Sequence, residues 1–315
     1  MSEVTISTYE FLKRFPDHTT ARRYLEAHRW HGKPFCPHCG SVGNMHKQSR
    51  GGVDGYYRCS DCRKTFTIRT GTIFERSHVP LDKWLYAIYL LVTARKGISS
   101  LQLSKEIGVT QKTAWFMLSR LRKACGNGDD ALLSGIIEAD ETFLGGKEAN
   151  KHESKKQHLG RGPVNKTPVL GVRERGGKTR AVVVKNVDAN TIKGYVEGQI
   201  TPGSDLYTDE HAAYRSVVGL NHQSVNHSAK QFVDGMAHTN GIESVWAVLK
   251  RGFYGTYHHF SRKHTQGYVD EFTYRLNEGN VKEETMDRIS ALLNKSVGVR
   301  LTYAGLVSRG SYSTS

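Results

Sequence analysis

Residues 135–144 read Gly-Ile-Ile-Glu-Ala-Asp-Glu-Thr-Phe-Leu. The apolar and β-branched residues, interrupted by acids, predict a strand with Glu138 and Asp140 on one face and Glu141 on the other. Two further stretches carry acids in comparable settings. Leu-Tyr-Thr-Asp-Glu at 206–210 predicts a short strand closing at Asp209, and His-Thr-Asn-Gly-Ile-Glu-Ser-Val-Trp at 238–246 predicts a helix holding Glu243. Lys250 follows Glu243 by seven positions, about two turns along the same face. Carboxylates delivered from two strands and a helix suit a pair of magnesium ions for phosphodiester chemistry. Spacing alone leaves neighbours in play: Glu138 and Glu141 flank Asp140, and Asp205 and Glu210 lie near Asp209.

Working outward, Pro168–Arg173 and Arg180–Asn186 predict two more strands, and Asn190–Ile200 a helix with Ile192, Tyr195, Val196 and Ile200 on its apolar face. Asp205–Thr208 then predicts a strand, Ala212–Val218 a helix, and Gln223–Asn226 a strand. Thr239–Arg251 and Arg262–Leu276 predict the last helices. Strands followed by a crossover helix and further strands give an α/β domain with a mixed sheet. The basic, polar stretch 145–167 predicts a solvated loop; because it leaves directly after the Asp140 strand, folding over substrate DNA is the other reading.

The chain has 315 residues and a net charge of +15. Residues 1–130 hold 21 Lys and Arg against 11 Asp and Glu, so most of the excess lies in the front half. That balance suits a polyanion, nucleic acid first among them. Residues 1–15 include Glu3, Glu10, Lys13 and Arg14, unlike a secretory leader. The longest apolar run, Leu85 to Val92, is far short of the ~20 residues that span a bilayer, and reads as a core helix. The expected location is the cytoplasm, on the nucleoid, with no membrane partner.

Cys36-Pro-His-Cys39 and Cys59-Ser-Asp-Cys62 are two C-x-x-C pairs with nineteen residues between Cys39 and Cys59. Two such knuckles fit a tetrahedral four-thiolate zinc site, closed and therefore structural. Tyr56, Tyr57, Phe66 and Phe74 are available to pack around this ribbon. Cys125, alone near a helix end, reads as a small buried hydrophobe.

Between Gly97 and Ala124 a short helix from Ser99 or Ser100 to Gly108 precedes a second helix capped by Thr110, a helix-turn-helix pattern. Ala114, Met117, Leu118 and Leu121 form its inward stripe. Gln111, Lys112, Thr113 and Phe116 are left to meet base edges, and Arg120, Arg122 and Lys123 to touch phosphates. A plain helical hairpin gives a similar stripe.

Taken together, these motifs resemble insertion-sequence transposases of the bacterial DDE type, with an N-terminal zinc ribbon and a ribonuclease-H-like catalytic domain. The resemblance rests on both knuckles, on Ala139-Asp140-Glu141-Thr142 with Gly145-Gly146-Lys147, and on Tyr207-Thr208-Asp209. It continues through His238–Trp246, Leu249-Lys250-Arg251-Gly252, Gly255, Tyr257-His258 and Asp270-Glu271-Phe272. It implies that Asp140, Asp209 and Glu243 bind catalytic Mg²⁺ or Mn²⁺, and that Lys250 contacts the terminal DNA, with Arg251 a further DNA contact. It further implies water attack at a transposon end followed by attack of the freed 3′-hydroxyl on target DNA, by two-metal-ion phosphoryl transfer. The partners would be double-stranded DNA, as terminal inverted repeats and target, and further copies of the chain in a homodimer or larger synaptic complex. A DNA-binding regulator or inactive derivative, and a hydrolytic nuclease of the same fold, are the alternatives. The expected layout is a helical segment at 1–30, a zinc ribbon at 31–75, a helix-turn-helix region at 76–128, a catalytic domain at 129–280 and a C-terminal tail at 281–315.

Overall fold

A computed structural model of the chain describes residues 5–126, 128, 131–146, 152–156, 166–225 and 238–308. Most of the 145–167 stretch, and with it the question of a loop over DNA, lies outside the described residues. The chain divides into two compact units, the first formed by Met1–Gly128 with Glu278–Ser313 and the second by Asp129–Asn277.

In the first unit, α1 (Thr8–Arg14) opens on a reciprocal capping box between Ser7 and Glu10, and α2 (His18–Trp30) on the Asp17 side chain. The ribbon is an antiparallel sheet of β1 (Met45–Arg50), β2 (Val53–Cys59) and β3 (Thr65–Thr67). Trp30, Tyr57 and Phe66 form its small apolar centre, with Tyr57 stacked on Phe66 at 5.6 Å and Trp30 edge-on to Tyr57 at 4.9 Å. Tyr56, on the opposite face of β2, instead lies under the Arg50 guanidinium, and Phe74 packs edge-on to Trp84 at 5.2 Å. Of the four aromatics expected around the ribbon, Tyr57 and Phe66 make its core.

Helix α3 (Leu81–Thr93) is buried along most of its length, which is why its sequence is so apolar. The next two helices, α4 (Ser100–Ile107) and α5 (Gln111–Cys125), are joined through Gly108 at φ +62° and the Thr110 cap. Ala114, Met117, Leu118 and Leu121 are buried as the stripe predicts, and so is Cys125.

The second unit is a five-stranded mixed sheet. Its strands are β4 (Ile136–Leu144), β5 (Thr167–Glu174), β6 (Thr179–Val183), β7 (Asp205–Thr208) and β8 (Asn221–Ser224), in the order β6-β5-β4-β7-β8. Strands β4 to β6 pair antiparallel, whereas β7 and β8 run parallel to β4. The crossover to β7 is α6 (Ala189–Gln199). This is the α/β mixed-sheet, ribonuclease-H-like arrangement that the resemblance implies. Residues 212–216 form a 3₁₀ turn where a longer helix was expected, a short piece seated by the buried Tyr214. Beyond the sheet come α7 (Asn240–Gly252), which runs into a π-helical turn at Phe253–Tyr257, and α8 (Thr265–Glu278).

One face of β4 and β5 packs Ile137, Ala139, Leu170 and Val172 against Ile192 and Val196 of α6. The other packs Leu144 and Val169 against Ile242, Val245, Trp246 and Leu249 of α7 and Val269 and Phe272 of α8. The central strand is thus covered on both sides, as its apolar content requires.

The stretch 281–315 contains α9 (Thr285–Lys295) and α10 (Tyr303–Val307), both in the first unit. Helix α9 buries Ile289, Leu292 and Leu293. Its buried Arg288 donates to the Val92 carbonyl at the end of α3 at 3.0 Å.

Candidate metal centres and nucleic-acid contacts

The acidic site follows from strand register. Parallel pairing sets Ile136, Ile137 and Glu138 of β4 opposite Asp205, Leu206 and Tyr207 of β7. The same offset places Asp209, one residue past β7, level with Asp140. Strand β4 has nine residues and β7 only four, so β4 outruns its neighbour. At that free edge Glu141, although it starts from the opposite face, reaches round to the same place. Carboxylate oxygens of Asp140, Glu141 and Asp209 all lie within 4.8 Å of one another.

Local hydrogen bonds hold these groups. Asp140 Oδ1 accepts from the Glu141 amide at 2.8 Å, and Asp209 Oδ1 accepts from the His211 amide at 3.1 Å. The buried Tyr214 hydroxyl donates to Glu141 Oε2 at 3.1 Å. Burial, then the charges of Glu141 and Asp209 and, more weakly, of Glu243, push the Asp140 carboxyl up to about 7. Glu141 is also raised, by burial and by Asp209, with His211 and the Tyr214 hydroxyl opposing. Mutual repulsion among half-buried carboxylates is what a divalent cation relieves, and an all-oxygen donor set fits a hard ion such as Mg²⁺ or Mn²⁺.

Glu243 lies outside that group of three. It sits in the first turn of α7, where its Oε1 accepts from the Thr239 hydroxyl at 2.7 Å. Lys250 and Arg251 are exposed two turns later. The start of α7 is anchored by Glu138, which is 1% exposed and paired with Arg175 Nε at 2.8 Å. Glu138 Oε2 also accepts from the Ile242 amide at 2.8 Å, so a strand carboxylate satisfies a free N–H at the positive end of the helix. Arg175 reaches the His238 carbonyl and Arg173 the Gly241 carbonyl, each at 2.8 Å.

Two glycines allow this close approach. A Cβ on Gly241 would stand 2.5 Å from Glu138 Oε2, and a Cβ on Gly171, the pairing partner of Asp140, would fall on the Trp246 ring. Glu138, Gly171 and Gly241 were not among the residues singled out as a working unit from sequence. Glu138 was visible as an acid on the Asp140 face, but nothing local signals its tie to a helix 104 residues away.

In the first unit Cys36, Cys39, Cys59 and Cys62 bring their sulfurs within 4.8 Å of one another. Cys36 and Cys59 are fully buried. Four sulfurs at that separation, with no disulfide among them, fit a tetrahedral structural zinc.

The helix-turn-helix residues divide. Gln111, Lys112 and Lys123 are exposed and Thr113 is half-buried at the start of α5, where its hydroxyl contacts that of Thr110. Phe116 packs edge-on to Tyr303 at 5.7 Å, and Lys112 stands over the same ring. Arg120 and Arg122, expected to touch phosphates, are 7% and 4% exposed. Arg120 donates to the carbonyls of Ile73 and Glu75 at 2.8 and 2.9 Å. That is a correction: these cations lie on the inward side of α5, out of reach of a phosphate. No helix among the described residues is long and apolar enough to cross a membrane.

Comparison with known proteins bears on both units. Residues 132–277 match the family model of the ISXO2-like transposase domain, and residues 16–65 that of the transposase zinc-ribbon domain. The first stretch holds Asp140, Asp209, Glu243 and Lys250; the second holds all four clustered cysteines. The chain is 30% identical over 253 residues to an uncharacterized protein in transposable element ISH50 of Halobacterium salinarum, covering 76% of this chain and 84% of that one. Among solved structures, a simian T-cell lymphotropic virus intasome in complex with PP2A regulatory subunit B56 gamma aligns over 61% of this chain and 65% of its own, at 13% identity and a TM-score of 0.28.

Proposed function

Because this chain belongs to the ISXO2-like transposase family, we propose that it cuts DNA at the ends of a mobile element and joins the freed 3′-hydroxyls to target DNA. The observation that carries the proposal is the register that sets Asp140 beside Asp209 at the free edge of β4, within the stretch that matches the transposase domain.

Two divalent cations bound at these carboxylates would supply Lewis acidity for the attacking and the leaving oxygen. The chain's own residues do the rest. Asp140 and Asp209 provide the fixed ligands, and Glu243 approaches from α7, whose start is held by Glu138, Arg173 and Arg175. Glu141, braced by Tyr214, adds negative charge at the same edge. With its carboxyl raised to about 7, Asp140 would have to give up a proton to hold a cation near neutral pH, so metal affinity should rise with pH. Lys250 and Arg251 neutralise phosphates of the terminal DNA and hold its strand for in-line attack. No side chain acts as a nucleophile: water opens the element end, and the resulting 3′-hydroxyl attacks the target. The ribbon and the start of α5 (exposed Gln111 and Lys112, half-buried Thr113), with Lys123, grip DNA. Two ends must be held together for joining, so the working form is a dimer or larger synaptic complex.

The experiment uses a plasmid carrying the gene with its flanking DNA, the full-length protein, and Mg²⁺ or Mn²⁺. The wild type should release element ends and yield joined products, while Asp140→Asn and Asp209→Asn should do neither and Glu243→Gln should lose most of both. Nicking at wild-type rates by the two Asn variants would sink the assignment. Cleavage with no joined product reassigns the chain as a hydrolytic nuclease. Specific binding without cleavage under either metal makes it a regulator.

A further inference from the structure

With Arg120 and Arg122 turned inward, α5 keeps only Lys112 and Lys123 as exposed cations, and a denser group of basic side chains lies elsewhere in the first unit. A cleft of about 640 Å³ opens between α2, the ribbon and the stretch 69–81, within the roughly 300–1,000 Å³ of ligand pockets. Arg22, Arg69, Arg76, His18, His78 and Tyr56 line it. Two acids also face it, but both are engaged. Asp54 accepts from the Ser49 hydroxyl, and Glu75 accepts from the Gly71 amide at 3.0 Å with Arg300 at 3.9 Å.

Two features mark this cleft as more than a charged surface. Arg69 is anchored through Nη2 to the Val79 carbonyl at 2.8 Å, while its buried Nη1 has no hydrogen-bond partner among the described residues. A guanidinium held at the wall adds positive potential to the cleft. Arg76 has φ +55°, in the left-handed region that glycine or asparagine occupies at less cost. Its side chain is exposed at the cleft. Strain of this kind persists where the side chain is needed.

We propose that this cleft binds the phosphodiester backbone of DNA, with the exposed guanidinium of Arg76 on a phosphate, His78 at the rim and Arg69 adding positive charge from the wall behind them. The proposal rests on the transposase reading, which makes DNA the polyanion. Tyr56 offers a ring face to a base or sugar on the same strand.

The test is fluorescence anisotropy of the full-length, zinc-loaded protein with a labelled DNA duplex across a series of salt concentrations. Arg76→Gly removes the guanidinium and relaxes the left-handed backbone at once. It should weaken binding roughly eightfold at about 0.1 M salt, the contribution of one released counterion, and lower the salt slope by about 1. Its melting temperature should be unchanged or raised, which separates lost contact from lost fold. His78→Glu, at an exposed position, should weaken binding in the same direction. Wild-type affinity and slope in both variants overturns the cleft, as does a loss seen only alongside a lowered melting temperature. Tighter binding of an RNA duplex than of the DNA overturns the choice of ligand. If the wild type binds no DNA, the transposase reading falls as well.

Discussion

Replacing Asp140 by asparagine should stabilise the metal-free protein. The Asp140 carboxyl is pushed from 3.8 up to about 7 by burial and by the charges of Glu141 and Asp209. A folded pKa above the unfolded one means that the native state holds the proton more tightly. Below pH 3.8 both states are protonated and nothing is lost. Between there and about 7 stability falls as pH rises, and above 7 the whole penalty is present. A shift of about three units at 1.36 kcal/mol each gives about 4 kcal/mol. That figure is a ceiling, because the acids can rotate apart. The asparagine side chain carries none of this cost, and its amide oxygen can still accept from the Glu141 amide. Hydrogen exchange of the β4 amides reports opening of the second unit without interference from the zinc ribbon. With zinc retained and no other divalent cation, Asp140→Asn should exceed the wild type by up to about 4 kcal/mol at pH 8. The gap should close toward pH 4, and added Mg²⁺ should narrow it by binding only the wild type tightly. Equal protection of the two proteins at pH 8, or a gap that ignores pH, would refute the reasoning.

Further outcomes follow from the packing around that site. Gly171→Ala drives a methyl group into the Trp246 ring and should cost about 1–3 kcal/mol by overpacking, seen as a lower melting temperature together with reduced cleavage although every carboxylate is intact. Glu138→Gln keeps the shape but removes the charge facing Arg175 and the Ile242 amide; a loss of about 1.5–3 kcal/mol is expected, with weaker Mn²⁺ binding by calorimetry, and unchanged values for both would show that the anchor is idle. Arg120→Met should lower stability by about 1–3 kcal/mol, since the buried Ile73 carbonyl and the part-buried Glu75 carbonyl lose their donor, whereas Lys123→Gln should leave the melting temperature alone and weaken DNA binding in the anisotropy assay. Cys59→Ser should abolish zinc retention, measured by metal analysis of the purified protein, and unfold the ribbon.

Much of this architecture could be read from the chain. Pattern and length identified β4, β5, β7 and α7 to within a residue or two, because each is a short apolar run with a plain start or stop. The cysteine spacing carried the ribbon by itself, since the zinc geometry leaves little freedom. What resisted reading was non-local. Glu141 reaches the site because β4 is longer than β7, and strand length mismatch is a property of the sheet rather than of either segment. Gly171 reads like any strand glycine, and the Trp246 ring that covers it lies 75 residues later in the chain. Arg120 and Arg122 have the composition of phosphate contacts, yet α5 is packed on more than one side, and for Arg120 the backbone carbonyls at 73 and 75 supply the acceptors that water would otherwise provide.

The first unit is discontinuous: it begins with α1, α2 and the ribbon and is finished by α9 and α10, after residues 129–277 of the second unit have been made. A ribosome that stops anywhere before residue 285 leaves the Val92 carbonyl without Arg288 and the apolar surface under Ile289, Leu292 and Leu293 exposed to water. Such a fragment has its first unit unfinished and open to proteolysis. If the first unit grips DNA as proposed, truncated copies are poorly placed to persist on the element ends and obstruct the full-length chain, and a complete grip coincides with possession of all the acids.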